Sequence, residues 1–353
     1  MILDNQVLAA SFNEQSGAVV PGCRNHIGSG PVEPAKIRTY LDFEKPIAEL
    51  ESKVAELETL SSDESSVSIA EEIQTLQQKA QQALVDTYDK LTPWQKTQVA
   101  RHPDRPHCND FLDELVTDFT PLAGDRYFAE DYAIVAGIGR MGERSVVIIG
   151  HEKGADTESR IKHNFGMARP EGYRKAVRLM EMADRFQLPV VTFVDTAGAY
   201  PGIGAEERGQ AEAIARSTDC CLGLGVPIVS LVVGEGGSGG AVAIATANKV
   251  LMLEHAIYTV ASPEAAASIL WRDSDRAIDA ATNMKITPQD LLSMNVIDGI
   301  IEEPIGGAHR DMSTTIQAAG AAIESALVEF DGQTPDQIRK QRHDRFLDIG
   351  RNL

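Results

Sequence analysis

Apolar positions alternate at intervals of three and four from Pro46 onward, at Ile47, Leu50, Val54 and Leu57. That spacing lays one stripe along a helix, and Pro46 suits its first turn. The polar run Ser61-Ser62-Asp63-Glu64-Ser65-Ser66 interrupts it, and Ile69, Ile73, Leu76, Ala80 and Ala83 resume the rhythm. The pattern predicts a helical hairpin whose stripe docks either on its own domain or on a partner subunit. A third helix is expected at Thr92-Pro93-Trp94-Gln95, where Thr92 and Gln95 fit a capping box. Beyond Pro121 the rhythm changes to short apolar runs closed by turn residues: 133–138, 146–149, 190–194, 228–233, 250–253 and 257–260. Helical stretches at 171–187, 204–224 and 239–247 separate several of them, which predicts βαβ units and an α/β fold. Two more helices are expected over about 310–330 and 335–349. The first 40 residues are rich in Gly, Pro, Ser and Asn, show no period, and read as a loosely ordered extension. The expected division is therefore 1–40 extension, 41–120 helical arm, 121–330 α/β domain and 331–353 helical tail.

The chain has 353 residues, 43% hydrophobic and 24% charged, with a formal net charge of -19. Such acidity repels phosphate backbones, so nucleic acid is not an expected partner. A local reversal of sign from His151 to Arg178 holds Lys153, Arg160, Lys162, Arg169, Arg174, Lys175 and Arg178. It reads either as a solvated helix face or as a meeting place for an anion. Cys23, Cys108, Cys220 and Cys221 form no C-x-x-C pair, and the vicinal cysteines read as packing residues. His102, His107 and Cys108 lack useful metal-ligand spacing, and no metal is expected. No apolar run of about 18 residues occurs and the start lacks a signal-peptide pattern, so cytoplasm is the expected compartment and no membrane association is expected.

The densest chemical signal is Gly234-Glu235-Gly236-Gly237-Ser238-Gly239-Gly240-Ala241, between an apolar strand and a helix of small residues. Five glycines in seven positions remove the side-chain wall, so a ligand can approach peptide N–H groups directly. The following helix start adds unpaired N–H groups and the positive end of a dipole. Tight packing of the turn is the plainer alternative. Three chemistries compete here. Gly234-x-Gly236-x-x-Gly239, with Glu254 downstream, fits a dinucleotide fingerprint, although the same spacing recurs at Gly137, Gly139 and Gly142 ahead of a strand. Gly236-x-Ser238-x-Gly240, followed by Asp298 and His309, fits a nucleophile elbow, but Ser238 lies five residues beyond Val233, the expected strand end. A backbone oxyanion hole needs no side chain and accounts for every glycine. A second loop, Asp195-Thr196-Ala197-Gly198-Ala199-Tyr200-Pro201-Gly202, follows another strand, which puts both loops at carboxyl strand ends where ligand sites gather. Singly, Asp195 would only cap a turn and Tyr200 would be a surface aromatic.

With Asn164-Phe165-Gly166-Met167, Pro170–Ala176, Ser262-Pro263-Glu264, Leu41–Glu44, Ala205–Gln210 and Gly306–Arg310, these loops closely resemble a known family over roughly residues 41–350. The chain resembles the carboxyltransferase alpha subunits of bacterial multi-subunit acetyl-CoA carboxylases. The resemblance implies a crotonase-like (ClpP/crotonase) ββα superhelix with an N-terminal helical hairpin arm that docks a partner subunit. It implies transfer of a carboxyl group from carboxybiotin, borne on the biotin carboxyl carrier protein, to the CoA thioester acetyl-CoA, giving malonyl-CoA in the first committed step of fatty acid biosynthesis. It also implies a carboxyltransferase beta subunit in an α2β2 assembly, with biotin carboxylase in the wider complex. Gly239 and Gly240 would supply the oxyanion-hole amides, while Gly236, Gly237, Ser238, Gly198, Ala199, Tyr200, Pro201 and Gly202 would line the carboxybiotin side. No Ala-Met-Lys-Met string occurs, so biotin is expected on another protein. One departure stands out: Ala197 replaces the proline usual in the family's second loop, which removes some preset stiffness.

Overall fold

The computed structural model describes residues 38–61 and 67–351. The chain divides into Met1–Arg38 and Thr39–Leu353, and the expected extension 1–40 lies almost wholly outside the described residues. One eight-stranded sheet organises the second unit, in the order β1-β2-β3-β4-β5-β6-β8 with β7 paired to β5. The strands are β1 Thr117–Pro121, β2 Ile134–Met141, β3 Arg144–His151, β4 Val190–Thr196, β5 Ile228–Gly237, β6 Lys249–Leu253, β7 Ile257–Thr259 and β8 Gly299–Ile301. The first three pair antiparallel, and β3 onward is parallel. β4 and β5 are buried along their whole length, as the unbroken Val/Ile/Leu runs of a sheet covered on both faces require. Two strands carry no apolar run and were not expected: β1, which straddles position 120, and the three-residue β8.

Fourteen α-helices occur among the described residues. Before the sheet come α1 Lys45–Ser61, α2 Val67–Tyr88, α3 Pro93–Ala100 and α4 Cys108–Leu115. The crossovers hold α5 Thr157–Lys162, α6 Pro170–Phe186, α7 Ile203–Glu207, α8 Gln210–Gly223 and α9 Ser238–Ala245. Then follow α10 Pro263–Trp271, α11 Ala277–Asn283, α12 Pro288–Ser293, α13 Met312–Val328 and α14 Pro335–Asp348. The stretch expected as one helix over 204–224 is two, because Gly209 adopts φ 79° and interrupts the ladder. Thr92 and Gln95 form the expected reciprocal cap on α3.

The hairpin stripe is consumed mostly between α1 and α2, where Val54 and Ala80 are buried. At its base Ile47, Leu84 and Tyr88 pack with Val99 of α3. There the buried Glu44 accepts from Tyr88 Oη at 3.0 Å, and Arg310 reaches Glu51 at 2.8 Å and Glu44 at 3.5 Å. Own-chain docking therefore holds the base. At the other end of the chain, α14 is locked by Arg342. Its fully buried guanidinium donates to the carbonyls of Cys221, Leu224 and Val226 at 2.7–2.8 Å. Among the described residues no helix is long and apolar enough to cross a membrane.

Candidate functional site

β4 and β5 lie side by side and parallel, with Thr196 opposite Gly236, so both glycine-bearing segments leave the sheet at one end. Open sheets collect ligands at such carboxyl ends. β5 is longer than its apolar run. It pairs with β6 through Val229–Val232 and then with β7 through Glu235–Gly237. Glu235 to Gly237 are therefore paired strand residues rather than loop, because β7, expected as the run 257–260, pairs with them.

The glycines of that stretch answer mainly to close packing. A Cβ on Gly234 would stand 2.5 Å from Asp195 Oδ1, and one on Gly236 2.8 Å from the Tyr258 ring. On Gly237 it would stand 2.2 Å from the Ala197 carbonyl oxygen, and on Gly240 2.7 Å from the Gly198 carbonyl carbon. These four are required by contact between segments, a demand separate from any ligand. Gly239 differs: its Cβ would meet only the Ile214 side chain, at 3.3 Å.

With β5 ending at Gly237, Ser238 sits directly at the strand end, opens α9, and has φ 52°. The spacing objection to a nucleophile elbow is thereby overturned. The elbow still lacks its partners. Ser238 has no hydrogen-bonded histidine among the described residues, Asp298 accepts from Val250 N–H and is paired with Arg345, and His309 is stacked on His102 at 3.8 Å. The dinucleotide fingerprint fails for a related reason. Gly234 and Gly236 lie in a strand instead of the tight turn that motif needs, and Glu254 is occupied by the Glu303 N–H.

What remains at the start of α9 is a helix N-terminus without a side-chain cap, since Gly237 offers none. The first amides of a helix lack intrahelical acceptors and sit at its positive end. Ser238 is exposed, Gly239 half-buried and Gly240 buried. Ser238 and Gly239 form the rim of an apolar cavity of about 510 Å³, walled by Val242, Tyr258, Val260, Met284, Ile286 and Phe346 among others. Of the expected site residues only these two line it. Gly198 and Ala199 instead abut Gly240 from below. Tyr200 is half-buried, its ring covering Gly202 and lying 5.0 Å from the Arg169 guanidinium carbon. Its backbone is pinned, the N–H to Ala168 and the carbonyl by Gln210. Pro201 is exposed.

Beneath the two segments lies a buried ionic cluster that sequence reasoning missed. Lys153 Nζ stands 2.7 Å from Asp195 Oδ1 and 2.9 Å from Glu235 Oε2. Arg101 takes the other Glu235 oxygen at 2.7 Å and continues to Glu264 at 2.6 Å. Burial opposes charge on Asp195, yet the Lys153 ammonium outweighs it and holds the carboxyl well below the usual carboxylate range. Glu235 is likewise lowered, burial being outweighed by Lys153 and Arg101. Asp195 is therefore no simple turn cap. Nor is the basic island merely a solvated face, since Lys175 too is buried, held by Glu130 and two backbone carbonyls. The signal was present in the sequence as two acids inside otherwise apolar or glycine-rich strands. Elsewhere, Glu44, His102 and His309 converge, but both His102 ring nitrogens are already engaged, by Thr39 O and Asp104 N–H.

Residues 40–350 match the family model described as acetyl co-enzyme A carboxylase carboxyltransferase-like. The chain is 66% identical over 325 residues to an acetyl-coenzyme A carboxylase carboxyl transferase subunit alpha of Rhodopseudomonas palustris, covering 92% of this chain and 99% of that one. It is 65% identical over 320 residues to the protein of the same name from Nitrobacter winogradskyi, covering 91% and 99%. Among solved structures it is similar in fold to a Pseudomonas malonate decarboxylase hetero-tetramer in complex with coenzyme A. That likeness has a TM-score of 0.51 at 16% identity and covers 60% of this chain and 84% of that one.

Proposed function

Because this chain belongs to the acetyl co-enzyme A carboxylase carboxyltransferase-like family, we propose that the start of α9 is where it stabilises the oxyanion of carboxyl transfer. Its fold is the crotonase-like α/β fold, and its activity is that of a carboxyltransferase alpha subunit acting on acetyl-CoA to give malonyl-CoA.

The finer assignment rests on one observation: an uncapped helix start, bare at Gly239, on the rim of an apolar cavity. Biotin, borne on a carrier protein, would supply an activated carboxyl group whose departure leaves negative charge on the ureido oxygen. The N–H groups of Gly239 and Gly240 would meet that charge, each donor contributing about 3 kcal/mol in a water-poor site. Gly237 keeps the strand end close to the second loop and Gly236 keeps it close to Tyr258 of β7, and Ser238 would present its hydroxyl at the rim. Gly198 and Ala199 brace Gly240 from behind, while Tyr200, Pro201 and Gly202 would form the outer lip. A beta subunit would complete the cleft in an α2β2 assembly and hold the acetyl-CoA enolate. The carrier protein and biotin carboxylase would join the wider complex, and the helical arm over 41–120 would provide a second contact with the partner.

The test is reconstitution: the chain assembled with a beta subunit, carboxybiotin and acetyl-CoA must form malonyl-CoA, and a folded assembly that forms none refutes the proposal. The placement of Ser238 favours a second reading, a serine nucleophile. Covalent labelling of Ser238 by a fluorophosphonate would establish that instead.

A further inference from the structure

We propose that Lys153 is a positioning residue that sets the spacing between the two segments carrying the oxyanion site. The inference builds on the proposed function and adds to it a group outside the lining of the cavity at Ser238 and Gly239. Asp195 is the last residue but one of the buried strand β4, just before the turn that begins at Ala197, and Glu235 lies inside the glycine stretch of β5. The Lys153 ammonium joins them at 2.7 and 2.9 Å, with its side chain 16% exposed against 5% for Asp195 and 10% for Glu235. Asp195 Oδ1 also accepts the Glu235 N–H at 2.8 Å, so one carboxylate oxygen ties ammonium, strand backbone and loop together. The surroundings leave no slack. A Cβ on Gly234 would stand 2.5 Å from that same oxygen, and one on Gly166 would stand 2.6 Å from the Asp195 carbonyl oxygen and 2.9 Å from Lys153 Cγ.

Two acids brought this close in a desolvated place repel each other unless a cation lies between them. Arg101 cannot replace Lys153, because it reaches Glu235 and Glu264 but bridges nothing to Asp195. His107 Nδ1 stands 3.7 Å from Asp195 Oδ2, near enough to share its charge, but it bridges nothing to Glu235. Without the ammonium, Asp195 and Glu235 separate, and the separation carries Gly198 and Ala199 away from Gly240. The amides at the start of α9 then lose their backing. Donor placement enters the barrier steeply, so a shift of ~1 Å costs about a hundredfold in rate.

The experiment uses the assembled alpha–beta complex and reads kcat, the KM for acetyl-CoA and the melting temperature together. Lys153→Met is expected to lower kcat about a hundredfold with KM changed less than about twofold. Lys153→Arg, which keeps a cation able to span two carboxylates, is expected to recover part of kcat. The double variant Lys153→Met/Glu235→Gln removes the unbalanced charge without restoring the bridge, so it should recover melting temperature while kcat stays low. Recovery of kcat along with stability in that double variant would overturn the positioning role and leave a purely structural one. Unchanged kcat in Lys153→Met would also overturn it. If Lys153→Met does not fold, Glu235→Met alone, which leaves no acceptor for the ammonium, breaks one arm of the bridge, and a wild-type kcat there has the same force. A wild-type complex that makes no malonyl-CoA refutes the carboxyltransferase site itself, a result separate from any of these.

Discussion

Gly240→Ala tests whether the two segments meet as tightly as the geometry requires. The added methyl would stand 2.7 Å from the Gly198 carbonyl carbon and 2.8 Å from the Ala199 nitrogen. Carbon atoms rest at about 3.5 Å or more, so one segment must retreat by roughly 0.8 Å. Neither neighbour can escape by changing rotamer, since both are backbone. Gly198 is moreover held by Thr196, whose hydroxyl donates to its carbonyl at 2.8 Å. Overpacking of this kind costs about 1–3 kcal/mol, which for a domain of this size lowers Tm by roughly 1.5–5 °C. A displacement approaching 1 Å also takes the α9 amides off their target, at about a hundredfold in kcat. Gly239→Ala is the control, because its methyl meets only the flexible Ile214 side chain at 3.3 Å. Tm should then stay within about 1 °C of wild type, as for substitutions outside the packed contacts. Calorimetry and malonyl-CoA formation by the alpha–beta complex supply both readouts. Should Gly240→Ala keep wild-type Tm and kcat, or Gly239→Ala lower Tm equally, the abutment does not govern the site.

Three further outcomes are expected. Ser238→Ala should leave kcat within about threefold, since no histidine bonds that hydroxyl among the described residues, whereas a loss near 10⁴-fold would restore the nucleophile. Burial lowers His151 and His255 from 6.5 to about 4. The unfolded chain therefore takes up protons first as pH falls, and stability present above pH 6.5 should decline between 6.5 and 4 by about 1.4 kcal/mol per unit for each group. A urea midpoint that stays flat between pH 7 and 5 would contradict this. Arg310→Met strips Glu44 of its cation while Tyr88 and the Leu41 N–H still donate to it. A cost below the ~3–5 kcal/mol of a fully orphaned buried charge is expected, read as faster amide exchange in residues 41–60, and exchange unchanged there would count against the tie.

Much of the fold could be read from the chain because its central strands are continuous Val/Ile/Leu runs, which only a doubly covered sheet explains. β1 was hidden for the opposite reason: Thr117–Pro121 is an exposed edge whose strand character comes from pairing with β2, with Asp118 at φ 54° breaking the register. The break at Gly209 was visible as a glycine but not as a left-handed one. In the site, the glycine stretch announced close approach, yet what approaches it is the Ala197–Ala199 backbone some 40 positions earlier, and no local pattern encodes that. The same holds for Lys153 and Glu235, 82 residues apart. A charge inside an apolar strand signals that a partner exists without saying which residue it is.

The lock on α14 bears on how the site comes into being. Phe346 and Ile349 wall the cavity beside Ser238 and Gly239, and Arg342 fastens their helix to carbonyls at the α8–β5 turn. On the ribosome these positions are synthesised after every other wall of that cavity. The sheet can form as its strands emerge, but until residues near 342–349 emerge the nascent chain shows the solvent an open apolar trough, with several carbonyls waiting for a guanidinium.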